Sequence, residues 1–174
     1  MAAAAKAARL RLMAFDVDGV LTDGTLYFSS AGDEMKAFSS LDGHGLKMLS
    51  ASGTAIAIIT GRRSVAVEKR AANLGIPHLF QGIEDKRSVL LDLAARLAID
   101  PAQAGYMGDD VVDLPVLRAC GFSATVPGGH ALVRRHVDYV ARAAAGVGAV
   151  REVCEFILAA QGRLDAALAP WLAP

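Results

Sequence analysis

Along the chain, short apolar runs alternate with longer stretches in which apolar residues recur every three or four positions. "LRLMAFDVD" predicts a strand whose far end carries acids, and "GTLYFSS" with "DEMKAFSS", separated by "AGD", predicts a hairpin. "LDGHGLKMLSASG" has helical spacing and stops at Gly53, and "TAIAIITG" is a wholly apolar strand of the kind buried in parallel sheets. "RRSVAVEKRAANLG" predicts a helix ended by Gly75 and Pro77, "HLFQG" a short strand, and "DKRSVLLDLAARLAI" the next helix. "AGYMGDD" is a strand ending on acids, and "VVDLPVLRACG" a helix starting just beyond them. "FSATV", a short helix near "HALVRRHV", the strand "DYVA" and a last helix, "GAVREVCEFILAAQGRLDAAL", lead to the tail "APWLAP".

Repeated β-α units joined by short connections predict a doubly wound α/β fold, a three-layer α/β/α arrangement around a parallel sheet. No repeat or linker interrupts the pattern, so one domain over residues 1–174 is expected. Such sheets bind ligands at the carboxyl ends of their strands. Asp16, Asp18, Thr60, Asp109 and Asp110 all fall there.

Composition narrows the function classes. Lys+Arg and Asp+Glu both number 18, so no global basic surface points to nucleic acid. No run of about 18 uncharged apolar residues points to a membrane span. "MAAAAKAARLRL" lacks a long apolar core and runs straight into a strand, so it does not read as a signal peptide, and a cytoplasmic location is expected. Cys120 and Cys154 each lie in a helical pattern, which suits free thiols in a reducing compartment. His78, His130 and His136 read as loop or surface residues; His44 is either a substrate contact or a helix-start polar residue.

The acids carry the chemistry. Residues two apart on a strand share a side, so Asp16 and Asp18 start out facing the same way. Asp109, Asp110 and Asp113 arrive from a second strand end. Four or five carboxylates in one crevice need a counter-charge, and hard oxygen ligands beside phosphate suit Mg²⁺. Lys86 and Thr60 add phosphate hydrogen bonds. The set fits phosphoryl transfer: Asp16 as nucleophile forming an aspartyl-phosphate, and Asp18 as general acid and base that also offers its backbone carbonyl to the metal. Asp109 is the third metal ligand, while Asp110 and Asp113 serve as supporting or helix-start acids. Asp23 reads as turn chemistry before the hairpin.

"DVDGVLTDG", "IITGR", Lys86 and "GDDVVD" resemble, in order, the four motifs of the haloacid dehalogenase superfamily of aspartate-nucleophile phosphatases. The longer segments "KAFSSLDGHGLK", "AIITGR", "LFQG", "GYMGDD" and "GAVREVC" resemble the 3-deoxy-D-manno-octulosonate 8-phosphate phosphatase family of lipopolysaccharide precursor synthesis. The resemblance implies a Rossmann-like fold without a cap domain, a hairpin flap at about 24–39, a C-terminal helix and tail at about 146–174, and Mg²⁺. It also implies a homotetramer in which a neighbouring subunit covers each site. The intervals from Asp16 to Thr60 and from Thr60 to Lys86 hold no cap, and Leu26, Tyr27, Phe28 and Phe38 make the hairpin suited to an interface. By the same resemblance, the substrate contacts are Asp18, Ser39, Ser40, Leu41, Asp42, Gly43, Lys47, Gly61, Arg62, Arg70 and Lys86. Lys47 stands where relatives often have Arg, and Val147 where they carry a polar residue.

Rival readings fit less well. A calcium loop needs Gly at its sixth position, where this chain has Leu21, and a helix rather than a strand before it. Sugar-nucleotide transferases also use D-x-D, but need a longer chain. A phosphatase for another sugar or nonulosonate phosphate is the near alternative. A receiver-like phospho-acceptor module shares the acids, Thr and Lys, but places its phosphorylated Asp on a later strand than its acid pair.

Overall fold

In the computed structural model of the protein, which describes residues 3–172, the chain starts with a short helix, α1 (Ala3–Ala7). This corrects the expected direct entry into a strand: an alanine-rich run of high helix propensity takes one turn before β1 (Leu12–Phe15). The hairpin strands β2 (Tyr27–Phe28) and β3 (Glu34–Met35) pair antiparallel but are far shorter than their apolar runs suggest. Then follow α2 (Ser40–Ala51), β4 (Ala55–Thr60), α3 (Val65–Leu74), β5 (His78–Gln81), α4 (Lys86–Arg96) and β6 (Ala104–Met107).

A 3₁₀ turn, Val111–Asp113, opens α5 (Leu114–Leu117), where a continuous helix was expected; Pro115 and the acid caps confine it to this compact form. Cys120 lies in the turn after α5, not in a helix, and both cysteines are free. β7 (Phe122–Thr125), α6 (Ala131–Arg134) and β8 (Tyr139–Val140) complete the sheet. The expected last helix is two: α7 (Ala149–Ala160) and α8 (Leu164–Leu168). The break sits at Gln161 and Gly162, where Gln161 turns its amide to donate to the Leu10 carbonyl at 2.9 Å. A 3₁₀ turn, Ala169–Trp171, follows, and the last two residues of the tail lie outside the described residues.

The six-stranded sheet runs β5-β4-β1-β6-β7-β8 and is parallel throughout. Alternation along β1 divides the core. Met13 and Phe15 face Leu46 and Leu49 of α2 and Val150, Val153 and Ile157 of α7, while Leu12 and Ala14 face Leu90 and Leu93 of α4 and Leu117 of α5. Because β1 lies between β4 and β6, the residue leaving its carboxyl end stands at the middle of the sheet's edge. Between β1 and β4 there is only the hairpin and α2, and between β4 and β5 only α3. Phe38, expected to be exposed on the hairpin, instead packs against the core beneath the Arg70 guanidinium, and Met35 takes the exposed position. Among the described residues no helix is long and apolar enough to cross a membrane.

Candidate active site

Asp16 is the first residue beyond β1, and its N–H still donates to the Met107 carbonyl of β6 at 2.9 Å, so the ladder fixes its position. One carboxylate oxygen accepts the Val17 N–H at 2.7 Å and the other the Lys86 ammonium at 2.7 Å. Lys86 begins α4 because Asp85 caps that helix, accepting from the Ser88 N–H at 3.1 Å. The ammonium also donates to Asp113 at 2.6 Å. Burial pushes Lys86 down, but Asp16 and Asp113 outweigh it and hold its pKa above the ordinary lysine value. It therefore stays charged at neutral pH.

Asp113 is fully buried and fully employed. One oxygen takes Lys86 and the Tyr106 hydroxyl at 3.3 Å; the other accepts the N–H groups of Asp109 and Asp110 at 3.1 and 3.3 Å. Asp110 turns back to accept the Val111 N–H at 2.7 Å. Gly108 is needed beneath this network, since a Cβ there would lie 2.5 Å from the Asp113 carboxyl carbon. These bonds aim the Asp109 carboxylate at Asp16 across Gly19. Gly19 has φ +83°, and a Cβ on it would stand 2.2 Å from an Asp109 oxygen.

Asp16, Asp109 and Asp113 bring oxygens within 4.8 Å of one another. Burial raises the Asp16 pKa to about 6 against the pull of Lys86, with Asp113 adding to the rise. Burial and then Asp16, Asp113 and Asp110 raise Asp109 to about 7. Such crowded negative charge fits a divalent cation. Since Asp113 is saturated by its own partners, the side-chain oxygens left for it are those of Asp16 and Asp109, hard-oxygen donors that suit Mg²⁺.

Asp18 lies in the turn after Val17 and pairs with Lys36 of the hairpin; its second oxygen stands 3.6 Å from Arg62 Nε. Arg62 in turn donates to Glu34 at 2.9 Å. Ser64 and Arg62 hold the Glu34 carboxyl down to about 2. Asp16, Asp18, Thr60 and Lys86 line one open cavity of about 410 Å³ together with Gly61, Arg62, Asp109 and Asp110. Asp23 makes the expected turn, accepting the Thr25 N–H at 2.8 Å.

The remaining substrate positions do not reach this cavity within one chain. Ser40, Gly43, Lys47 and Arg70 line a separate hollow of about 210 Å³ with His44, and Leu41 is exposed. Ser39 caps α2, and its carbonyl accepts from Arg70 at 2.9 Å. Asp42, read from the sequence as a substrate contact, is buried and accepts the N–H groups of Arg151 at 2.9 Å and Gly148 at 3.4 Å, capping α7. His44 meets Trp171 edge-on at 5.3 Å.

Sequence reasoning missed Lys36 and Glu34. Their signal was present in "DEMKA": two opposite charges two positions apart flank Met35, so both point to the side that Met35 avoids. It also missed Tyr106, whose hydroxyl lies between Asp113 and the Ile59 carbonyl, at 3.3 and 3.1 Å.

No protein-family model matches the chain. It is 48% identical to the 3-deoxy-D-manno-octulosonate 8-phosphate phosphatase KdsC of Escherichia coli (strain K12) over 163 residues, 94% of this chain and 87% of that protein. The fold matches a crystal structure of the 3-deoxy-D-manno-octulosonate 8-phosphate phosphatase from Moraxella catarrhalis in complex with magnesium ion, phosphate ion and KDO. The TM-score is 0.95 at 46% identity, over 97% of each chain. The Yersinia pestis phosphatase of the same name matches with TM-score 0.92 at 45% identity, over 94% of this chain and 88% of that one.

Proposed function

Because the chain belongs to the 3-deoxy-D-manno-octulosonate 8-phosphate phosphatase family of the haloacid dehalogenase superfamily, we propose that it hydrolyses that sugar acid phosphate to 3-deoxy-D-manno-octulosonate and phosphate. It is a phosphoric monoester hydrolase, and its product serves lipopolysaccharide precursor synthesis. The observation that carries the chemical reading is the meeting of Asp16, Lys86, Asp109 and Asp18 in one cavity at the centre of the sheet edge.

Asp16 is the nucleophile: one carboxylate oxygen forms a bond to phosphorus as the ester O–P bond breaks. Asp18 gives its proton to the departing sugar oxygen, then takes one from the water that attacks the aspartyl-phosphate and releases phosphate. Lys86, held charged by Asp16 and Asp113, stabilises the phosphoryl oxygens, and Thr60 at the end of β4 donates to them. Asp16, Asp109 and the Asp18 carbonyl would hold Mg²⁺. When bound, Mg²⁺ supplies charge neutralisation for the phosphoryl group and its carboxylate neighbours. Arg62 stands at the mouth, suited to the anionic sugar.

The cavity is open, and no inserted domain among the described residues covers it. A homotetramer in which a neighbouring subunit closes each site and contributes Ser39, Ser40, Leu41, Gly43, Lys47 and Arg70 accounts for their separation from the cavity within one chain. Leu26, Tyr27, Phe28 and Met35 are exposed on the hairpin, which suits burial between subunits. Light scattering returning a monomer under conditions of full activity would remove this arrangement.

The test of substrate is a panel of sugar phosphates with Mg²⁺, read by phosphate release. The octulosonate 8-phosphate should give the highest kcat/KM, ahead of nonulosonate 9-phosphates, hexose 6-phosphates and p-nitrophenyl phosphate. A higher value for a nonulosonate phosphate would reassign the substrate. A single phosphorylation without repeated turnover would favour the receiver-like reading.

A further inference from the structure

We infer that Lys36, delivered by hairpin strand β3, is a positioning residue for Asp18. The inference deepens the proposed function, since it rests on Asp18 being the group that moves the proton.

The hairpin is otherwise an exposed element: Phe28 and Met35 show 58% and 63% of their surface to solvent. The Lys36 side chain shows 1%. Lysine is seldom buried this far unless its charge is paired, and the pairing here is specific. Its ammonium meets the Asp18 carboxylate on one side and Glu34 at 3.3 Å on the other. Glu34 takes Arg62 at 2.9 Å, and Arg62 Nε stands 3.6 Å from the second Asp18 oxygen. The four residues close a ring of alternating charge that joins the hairpin to the turn after β1 and to the residue after Gly61.

Within the ring the two cations are not equivalent. Lys36 is enclosed and in direct contact with Asp18; Arg62 is 43% exposed and beyond ordinary hydrogen-bond reach of it. Asp16, by contrast, is held by Val17 and Lys86 without help from the hairpin. Removing the Lys36 charge therefore frees the Asp18 side chain while leaving the nucleophile and the phosphate-facing Lys86 in place. The consequence falls on proton transfer, which depends on hydrogen-bond reach to the leaving oxygen.

This gives a signature that a general structural role lacks. An alkyl leaving group, such as the sugar hydroxyl, needs the proton; p-nitrophenolate leaves well without it. The experiment uses the full chain with Mg²⁺ and excess enzyme over substrate, following release of the alcohol in one turnover by rapid quench. Lys36→Met should slow release from the octulosonate 8-phosphate roughly 10- to 100-fold, the range seen when a partner that orients a reacting group is removed. Release of p-nitrophenol from its phosphate should stay within about threefold of wild type, because little proton transfer is needed there. In parallel steady-state assays KM for the sugar phosphate should hold, and Lys36→Arg should recover most of the rate. Glu34→Gln, at the far corner of the ring, should show the same leaving-group dependence more weakly.

Wild-type release of the sugar alcohol by Lys36→Met overturns the inference. A rise in KM with kcat unchanged also overturns it and makes Lys36 a substrate contact. Equal losses on both substrates in Lys36→Met, with no recovery in Lys36→Arg, reduce Lys36 to a folding role. Asp18→Asn on the same two substrates separates the two levels. If it lacks the leaving-group dependence, the assignment of Asp18 fails; if it shows the dependence and Lys36→Met does not, only the role of Lys36 fails.

Discussion

Gly19→Ala tests the proposed metal site through a steric clash with Asp109. A Cβ at Gly19 would lie 2.2 Å from one Asp109 oxygen and 2.6 Å from the carboxyl carbon, whereas ordinary contact begins near 3.4 Å. The Asp109 carboxylate must therefore withdraw by roughly 1 Å, and Mg²⁺ binds oxygen only within a narrow range near about 2.0–2.1 Å. Displacing one of the three protein oxygens proposed to hold Mg²⁺ by that much should raise the Mg²⁺ concentration for half-maximal activity roughly 10- to 100-fold, or ~1.4–2.8 kcal/mol. The alanine also meets φ +83°, a left-handed strain of about 1–2 kcal/mol that lowers Tm by roughly 2–8 °C for a chain of this size. Gly75→Ala supplies the control: φ is +71° with nothing within 4 Å, so it carries the strain without the clash. Mg²⁺ titration of phosphate release, with calorimetric Mg²⁺ binding beside it, should show the loss in Gly19→Ala only. Wild-type Mg²⁺ affinity in Gly19→Ala, or an equal loss in Gly75→Ala, would refute the reasoning.

Three further outcomes follow from the same contacts. Asp113→Ala strips the buried Lys86 of one of its two carboxylates and should cost ~3–5 kcal/mol, read as a lower urea midpoint; a loss under about 1 kcal/mol would contradict the pairing. Asp42→Ala removes the acceptor for the first N–H groups of α7 and should cost about 1–2 kcal/mol in thermal unfolding, with no change in Mg²⁺ affinity. In Mg²⁺-free protein, Asp16 and Asp109 bind protons more tightly folded than unfolded, with values of about 6 and about 7 against 3.8. Their contribution to stability is therefore full below the unfolded value and lost as pH rises through the folded ones. Mg²⁺ binds the deprotonated carboxylates, so the Tm gained on adding it should grow between about pH 5 and about pH 8; a gain independent of pH would count against the cluster.

The sheet and the convergence of the acids at its edge were legible because each depended on local order. Apolar runs such as "TAIAIITG" could only be buried strands, and the acids stood at strand ends, where a parallel sheet places ligands. What was illegible depended on partners distant in sequence. Asp42 reads as polar chemistry until Gly148 and Arg151 are seen to claim both its oxygens. Phe38 reads as exposed with its hairpin until α3 brings Arg70 over its ring. The charges of "DEMKA" place Lys36 and Glu34 on one side of the hairpin, but only the folded chain shows that this side meets Asp18. The split of the last helix turned on Gly162, whose left-handed φ of +68° lets the Arg163 N–H reach back to the Leu158 carbonyl at 2.8 Å, a stop that the apolar periodicity passes over.

The central claim is that Asp16 attacks phosphorus. Borohydride quenching during turnover of the octulosonate 8-phosphate with Mg²⁺ reduces an aspartyl-phosphate to homoserine, which peptide mass spectrometry locates. Homoserine is expected at position 16, dependent on both substrate and Mg²⁺, with neither trapping nor turnover in Asp16→Asn. Sustained turnover by Asp16→Asn, or homoserine trapped at Asp18 or Asp109 instead, would contradict the claim.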